Sequence, residues 1–241
     1  MLNLRCIRNL VLSTLPVATC FCAKSSAETH VLMVRHGQTN WNREPRYQGH
    51  TDVPLNEKGV EQSLQLAEKI AQNYPKINAI YSSDLTRAFV TALATAEKFA
   101  LPVIKKTGLR ELNLGEVEGL RLDNPKVLAV QEAANQRSAL YPDFRKQWDF
   151  PFSAGGESYN QLLDRVKNEI LEIAKTHPNE TVVVFTHGGV IQRVICDALN
   201  VEKCSPIDNC SIAHLSVDLK NQERPISFLQ IEALESQQKL Y

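Results

Sequence analysis

Two stretches constrain this chain more than any others: His30-Val31-Leu32-Met33-Val34 and Thr181-Val182-Val183-Val184-Phe185 are apolar without alternation. A strand with one wet face alternates apolar and polar residues, whereas a continuous run needs cover on both faces, as parallel strands joined by helical crossovers provide. The first run leads into Arg35-His36-Gly37 and the second into Thr186-His187-Gly188-Gly189. Both histidines are therefore expected at the carboxyl ends of parallel strands, where open α/β sheets bind ligands. Ile77 to Tyr81 is a third, weaker strand candidate. Ile212 to Leu219 and Ile226 to Ile231 read as two more, antiparallel at a sheet edge.

Between the strands lie helical stripes. Val60, Leu64, Ala67 and Ala71 share a face, as do Leu85, Ala88/Phe89, Ala92 and Ala96. Leu162, Val166, Ile170 and Ile173 form another, opened by Ser158 and Gln161 at capping-box spacing. The alternation predicts an α/β three-layer sandwich with a mostly parallel central sheet, formed by one domain over residues 28–241. Leu120 to Gly155 is the least regular region, with Pro125, Pro142 and Pro151 among charged and aromatic residues. It is expected to be a partly helical insertion over the site.

The chain has 241 residues, 43% of them hydrophobic, enough for one ordinary core. Lys+Arg and Asp+Glu number 27 each, which argues against non-specific nucleic-acid binding and makes any anion site local. Residues 1–27 hold Arg5, Arg8 and Lys24, no acid, and an apolar run from Leu10 to Ala23 that is too short to span a bilayer. They read as a secretory signal peptide with a cut before Glu28, implying a periplasmic or secreted protein without stable membrane insertion. A mitochondrial presequence fits the same composition, and a cytoplasmic or organellar location is the alternative. Of six cysteines, Cys196, Cys204 and Cys210 lie in the body; the odd number is no disulfide framework, and pairing of Cys204 with Cys210 stays open. No metal-ligand spacing such as H-E-x-x-H occurs, so neither a metal nor another cofactor is expected. Oligomeric state has no signature in the sequence.

A lone histidine after a strand is more often structural, but two in equivalent settings, one beside an arginine, point to a site. A phosphoryl group carries about two negative charges near neutral pH, and Arg35 offers a permanently charged planar fork for it. Arg87 lies where the third strand gives way to a helix, in Ser82-Ser83-Asp84-Leu85-Thr86-Arg87-Ala88, and can reach the same crevice. Leu32-Met33-Val34-Arg35-His36-Gly37-Gln38-Thr39-Asn40-Trp41-Asn42 closely resembles the R-H-G-[EQ]-T-x-x-N signature of the histidine phosphatase (phosphoglycerate mutase-like) superfamily. The blocks from Tyr47 to Gly59, Ser82 to Ala88, Arg110 to Gly119, Gly155 to Ser158 and Thr186 to Gly188 are similar to that family's later blocks, in the same order.

The resemblance implies a phosphoglycerate mutase-like fold acting on a small phosphorylated substrate, a metabolite or a phosphopeptide. It implies His36 as nucleophile, forming a phosphohistidine, and Glu111 as proton donor and acceptor. Arg35, Arg87 and His187 are implied to bind the phosphoryl oxygens, with Asn42 and Gln48 at the rim. A neutral imidazole suits in-line attack, and phosphoryl transfer depends mainly on positioning and charge stabilisation. Glu116, Glu118 and Glu157 read as solvated or structural, as do His30, His50, His177 and His214. The Arg110-Glu111-Leu112-Asn113-Leu114-Gly115 block resembles alpha-ribazole and broad-specificity phosphatases more than cofactor-dependent phosphoglycerate mutases. Hydrolysis is thus the expected activity, a mutase the alternative, and a non-catalytic phosphoprotein-binding module a third reading. Pocket walls are expected from Leu120 to Gly155, where Arg121, Arg137 and Arg145 are candidates to grip a second anionic group, although each also reads as a solvated residue.

Overall fold

The two apolar runs become adjacent parallel strands, β1 (Glu28–Arg35) and β4 (Thr181–Thr186), with Val31 opposite Val182 and Arg35 opposite Thr186. That register sets His36 and His187, the next residues of each strand, side by side. The computed structural model describes residues 28–234. The remaining strands are β2 (Ala79–Ser83), β3 (Val103–Lys106), β5 (Ile212–Asp218) and β6 (Ile226–Glu232). All six form one sheet in the order β3-β2-β4-β1-β5-β6, parallel from β3 to β1 and antiparallel from β1 to β6.

The helices are α1 (Asn40–Arg43), α2 (Glu57–Asn73), α3 (Thr86–Phe99), α4 (Pro125–Leu140), α5 (Phe144–Gln147), α6 (Tyr159–Thr176) and α7 (Gly188–Leu199). Side chains alternate across a strand, so each apolar run feeds two cores. Val31, Met33, Val182 and Val184 pack with Leu162, Val166 and Ile170 of α6 and Val190, Ile191 and Val194 of α7. Leu32, Val34, Val183 and Phe185 pack with Leu66 and Ile70 of α2 and Ala92 and Ala96 of α3. This is the expected three-layer α/β sandwich, and it explains why neither central strand alternates. Ser158 caps α6 as the spacing predicted: its side chain accepts from Gln161 N–H while the Gln161 side chain accepts from Ser158 N–H. Caps of this kind stabilise by about 1 kcal/mol.

Two expectations are corrected. In α2 the inward face is Gly59, Ser63, Leu66, Ala67 and Ile70, while Val60 and Leu64 are 45% and 59% exposed. A Cβ on Gly59 would lie 2.1 Å from the Gln38 carbonyl oxygen. The helix therefore starts hard against the loop after His36, and that approach turns the glycine face inward. Strand β3 was not anticipated, because Val103-Ile104-Lys105-Lys106 forms a half-exposed edge strand paired only with β2 and carries no clear period. The irregular region supplies α4 and α5, as expected of a partly helical insertion. Cys196, Cys204 and Cys210 are free thiols, so Cys204 and Cys210 are not bridged. The leader expected over residues 1–27 lies outside the described residues. Among the described residues no helix is long and apolar enough to cross a membrane.

Candidate active site

The loop after β1 carries His36 into a buried position where its Nδ1 lies 2.7 Å from the Gly37 carbonyl oxygen. A carbonyl can only accept, so Nδ1 holds the proton and Nε2 keeps its lone pair. Burial, and after it the charges of Arg87 and Arg35, hold this imidazole well below its ordinary pKa, keeping it neutral. The Asn209 side chain donates to the His36 carbonyl oxygen at 2.8 Å and approaches Asn42 Oδ1 at 3.4 Å, clamping the loop from the segment before β5.

His36 lines a cavity of about 270 Å³ together with Arg35, Asn42, Gln48, Arg87 and Glu111. Six of the seven residues expected at the site therefore share one wall. The seventh, His187, is fully buried and does not line the cavity, although its ring centroid is 5.3 Å from that of His36. Ser83 Oγ accepts from Leu85 N–H and sits 2.9 Å from His187 Nε2. His187 Nδ1 has no hydrogen-bond partner among the described residues. Burial, followed by Arg87 and His36, holds the His187 pKa well below the ordinary imidazole value.

The arginines are held by carbonyls, not by carboxylates. Arg87 donates from Nη1 to Thr51 O at 2.9 Å and from Nη2 to Gly49 O at 2.8 Å. Arg35 donates from Nη1 to Ile207 O. Both Nε atoms are buried without a partner. Burial lowers the Arg87 pKa to about 10, which leaves it charged at neutral pH. Two fixed positive charges with spare donors face one cavity, an arrangement suited to an anion with several oxygens.

Glu111 is anchored through both carboxylate oxygens. Oε1 accepts from Leu112 N–H at 2.9 Å and Oε2 from Gly189 N–H at 3.1 Å, in the first turn of α7 where the helix dipole favours negative charge. A Cβ on Gly189 would stand 2.6 Å from Glu111 Oε1, so this approach requires a residue without one. Asn42 Oδ1 accepts from Thr39 N–H and Oγ1–H at 3.1 Å, and Gln48 Oε1 is buried without a partner.

Several supporting residues escaped the sequence reading. Arg165 of α6 pairs with Glu157 at 2.7 Å and donates to the carbonyls of Gly108, Arg110 and Glu111. His50 Nε2 lies 2.8 Å from the same Glu111 carbonyl. Glu118 accepts from the backbone of His50, Thr51 and Leu114, binding the loop that holds Arg87. Glu118, Glu157 and His50 are thus structural, as expected, but each braces the site. Arg165 sits among apolar helix positions at ordinary surface spacing, and only the fold brings it to Glu157 and to the backbone around Glu111. Among the described residues no group of three or more His, Cys, Asp or Glu comes together to hold a metal ion.

The model of the histidine phosphatase superfamily, branch 1, matches residues 31–224. Phosphoglycerate mutase-like protein 4 of Arabidopsis thaliana is 40% identical over 72% of this chain and 74% of its own length. A metal-independent phosphoserine phosphatase of the same plant is 35% identical over 78% of this chain and 76% of its own. Among solved structures, a phosphoglycerate mutase from Bacillus anthracis superposes with a TM-score of 0.71 at 28% identity, covering 87% of this chain and 95% of its own. The chain belongs to the histidine phosphatase superfamily, branch 1.

Proposed function

We propose that the protein hydrolyses small phosphomonoesters through a covalent phosphohistidine on His36. The observation that carries this reading is the Nδ1 hydrogen bond to Gly37, which leaves the opposite ring nitrogen nucleophilic beside two arginines and a carboxylate. In the first transfer, His36 Nε2 bonds to phosphorus as the phosphorus–ester oxygen bond breaks, and Glu111 gives its proton to the departing oxygen. In the second, Glu111 takes a proton from water as the water oxygen bonds to phosphorus and the nitrogen–phosphorus bond breaks. Arg35 and Arg87 stabilise the oxygens of the transferring group throughout, and His187, directly behind His36 with an unpartnered ring nitrogen, is the third group to bind them. Asn42 and Gln48 hold the rim.

A mutase would return the phosphoryl group to an organic hydroxyl, and the mutase-like relatives make that the competing reading. Sustained release of inorganic phosphate supports hydrolysis; conversion of 3- to 2-phosphoglycerate without release would replace it. The mechanism is tested by rapid-quench trapping of acid-labile, alkali-stable phosphoenzyme alongside steady-state rates. His36→Ala is expected to lose phosphoenzyme and turnover on every substrate. Glu111→Gln is expected to form phosphoenzyme from p-nitrophenyl phosphate, whose leaving group needs no proton, yet lose on the order of 10²–10⁴-fold on alkyl phosphates. Equal losses on both would remove Glu111 from the acid role.

A further inference from the structure

Arg193 of α7 is only 9% exposed and has no carboxylate within ion-pair distance among the described residues. Its guanidinium carbon lies 3.8 Å from the Tyr159 ring centroid and 4.4 Å from that of Trp148. Its Nη1 reaches the Glu202 carbonyl oxygen at 3.5 Å, and Nε has no partner. Ring faces balance part of the charge but leave a guanidinium's planar N–H edge short of the acceptors it is shaped for. Arg193 lines the catalytic cavity and also a neighbouring cavity of about 200 Å³, and Phe152 and Tyr159 form the remainder of the shared wall.

The second cavity has its own cationic character. Arg137 lines it, stacked 5.5 Å from the Phe150 ring centroid and likewise without a carboxylate partner among the described residues. Glu202 and Lys203 also line it and pair with one another at 3.7 Å, so the two arginines set the excess charge. The other arginines of the insertion are spoken for: Arg121 pairs with Asp123 and Arg145 with Asp197. Of the three arginines considered for a second anion, only Arg137 is left uncommitted, and Arg193 joins it from an element outside the insertion.

We propose that Arg193 is the specificity-determining residue, and that the preferred substrate is a phosphomonoester bearing a second anionic group on an arm running past Tyr159 and Phe152 toward the second cavity. The deduction rests on the phosphatase reading of the first cavity. The second anion is a carboxylate or a second phosphate; both offer paired oxygens to a guanidinium.

The test uses propyl phosphate, 3-phosphooxypropanoate and propane-1,3-diol bisphosphate, with four- and six-carbon homologues of each, on the full protein and on Arg193→Met and Arg193→Lys. A charge-assisted contact corresponds to a preference of about 10- to 100-fold in kcat/KM for a two-anion ester over its one-anion counterpart. That ratio is expected to collapse in Arg193→Met and to survive in part in Arg193→Lys; which ester is preferred identifies the anion. Unhydrolysable phosphonoalkanoates, compared with alkyl phosphonates as inhibitors of the unmodified protein, give the same ratio without a variant. A ratio near one at every arm length, or one that Arg193→Met leaves unchanged, overturns the proposal. Failure to form phosphoenzyme from p-nitrophenyl phosphate would instead overturn the phosphatase reading.

Discussion

The two buried histidines make a prediction about stability that is independent of any substrate. His36 and His187 both have folded-state pKa values well below 6.5, chiefly through burial and then through the arginine charges beside them. In the unfolded chain each returns to about 6.5. Below that pH the unfolded state binds two protons that the folded state refuses, so stability is complete above 6.5 and falls as the pH drops. Integrated from pH 7.5 to 5.5 for imidazoles that stay neutral in the fold, the pair removes on the order of 2–3 kcal/mol. His214, also lowered by burial and by His30, adds its own loss. Comparing the protein with a His36→Asn/His187→Gln double variant cancels that contribution. Urea unfolding of both proteins at pH 7.5 and 5.5 is the assay, and the lower limit stays above the ordinary carboxylate range. The double variant is expected to lose roughly 2–3 kcal/mol less than the parent over this interval. Equal losses would mean that the two imidazoles titrate normally in the fold, and would undercut the neutral nucleophile.

Further outcomes follow from single contacts. Gly189→Ala drives a methyl into Glu111 and is expected to cost about 10²-fold in kcat on alkyl phosphates; unchanged kcat would mean that Glu111 has no role in the rate-limiting step. Arg165→Met leaves Glu157 largely buried without its cation and is expected to destabilise by about 3 kcal/mol in urea titration, with a fall in activity as the Glu111 backbone loses a donor. Exhaustive EDTA treatment is expected to leave turnover intact, since arginine charge stands where other phosphoryl-transfer sites use metal; activity lost and then restored by zinc or magnesium would refute this. Intact-mass analysis of protein from the native host is expected to give a chain beginning near Glu28, and full-length chain in the cytoplasm would reject export.

What the sequence determined by itself is whatever depends on short stretches of chain. Two unalternating apolar runs specify strands covered on both faces, and the residues after them specify which chemistry meets at their ends. The six ordered blocks likewise placed His36, Arg35, Asn42, Gln48, Arg87 and Glu111, which gather on one cavity wall. Tertiary structure decided what depends on approach distance. Gly59 turns inward because the Gln38 carbonyl leaves no room for a Cβ, a constraint that hydrophobic periodicity does not record. Arg165, Asn209 and His50 act on backbone atoms far away in the chain, so their types and spacing carry no sign of it. Arg193 differs from other arginines only in lacking a carboxylate partner while being buried between two rings, a property of its surroundings that no single residue encodes.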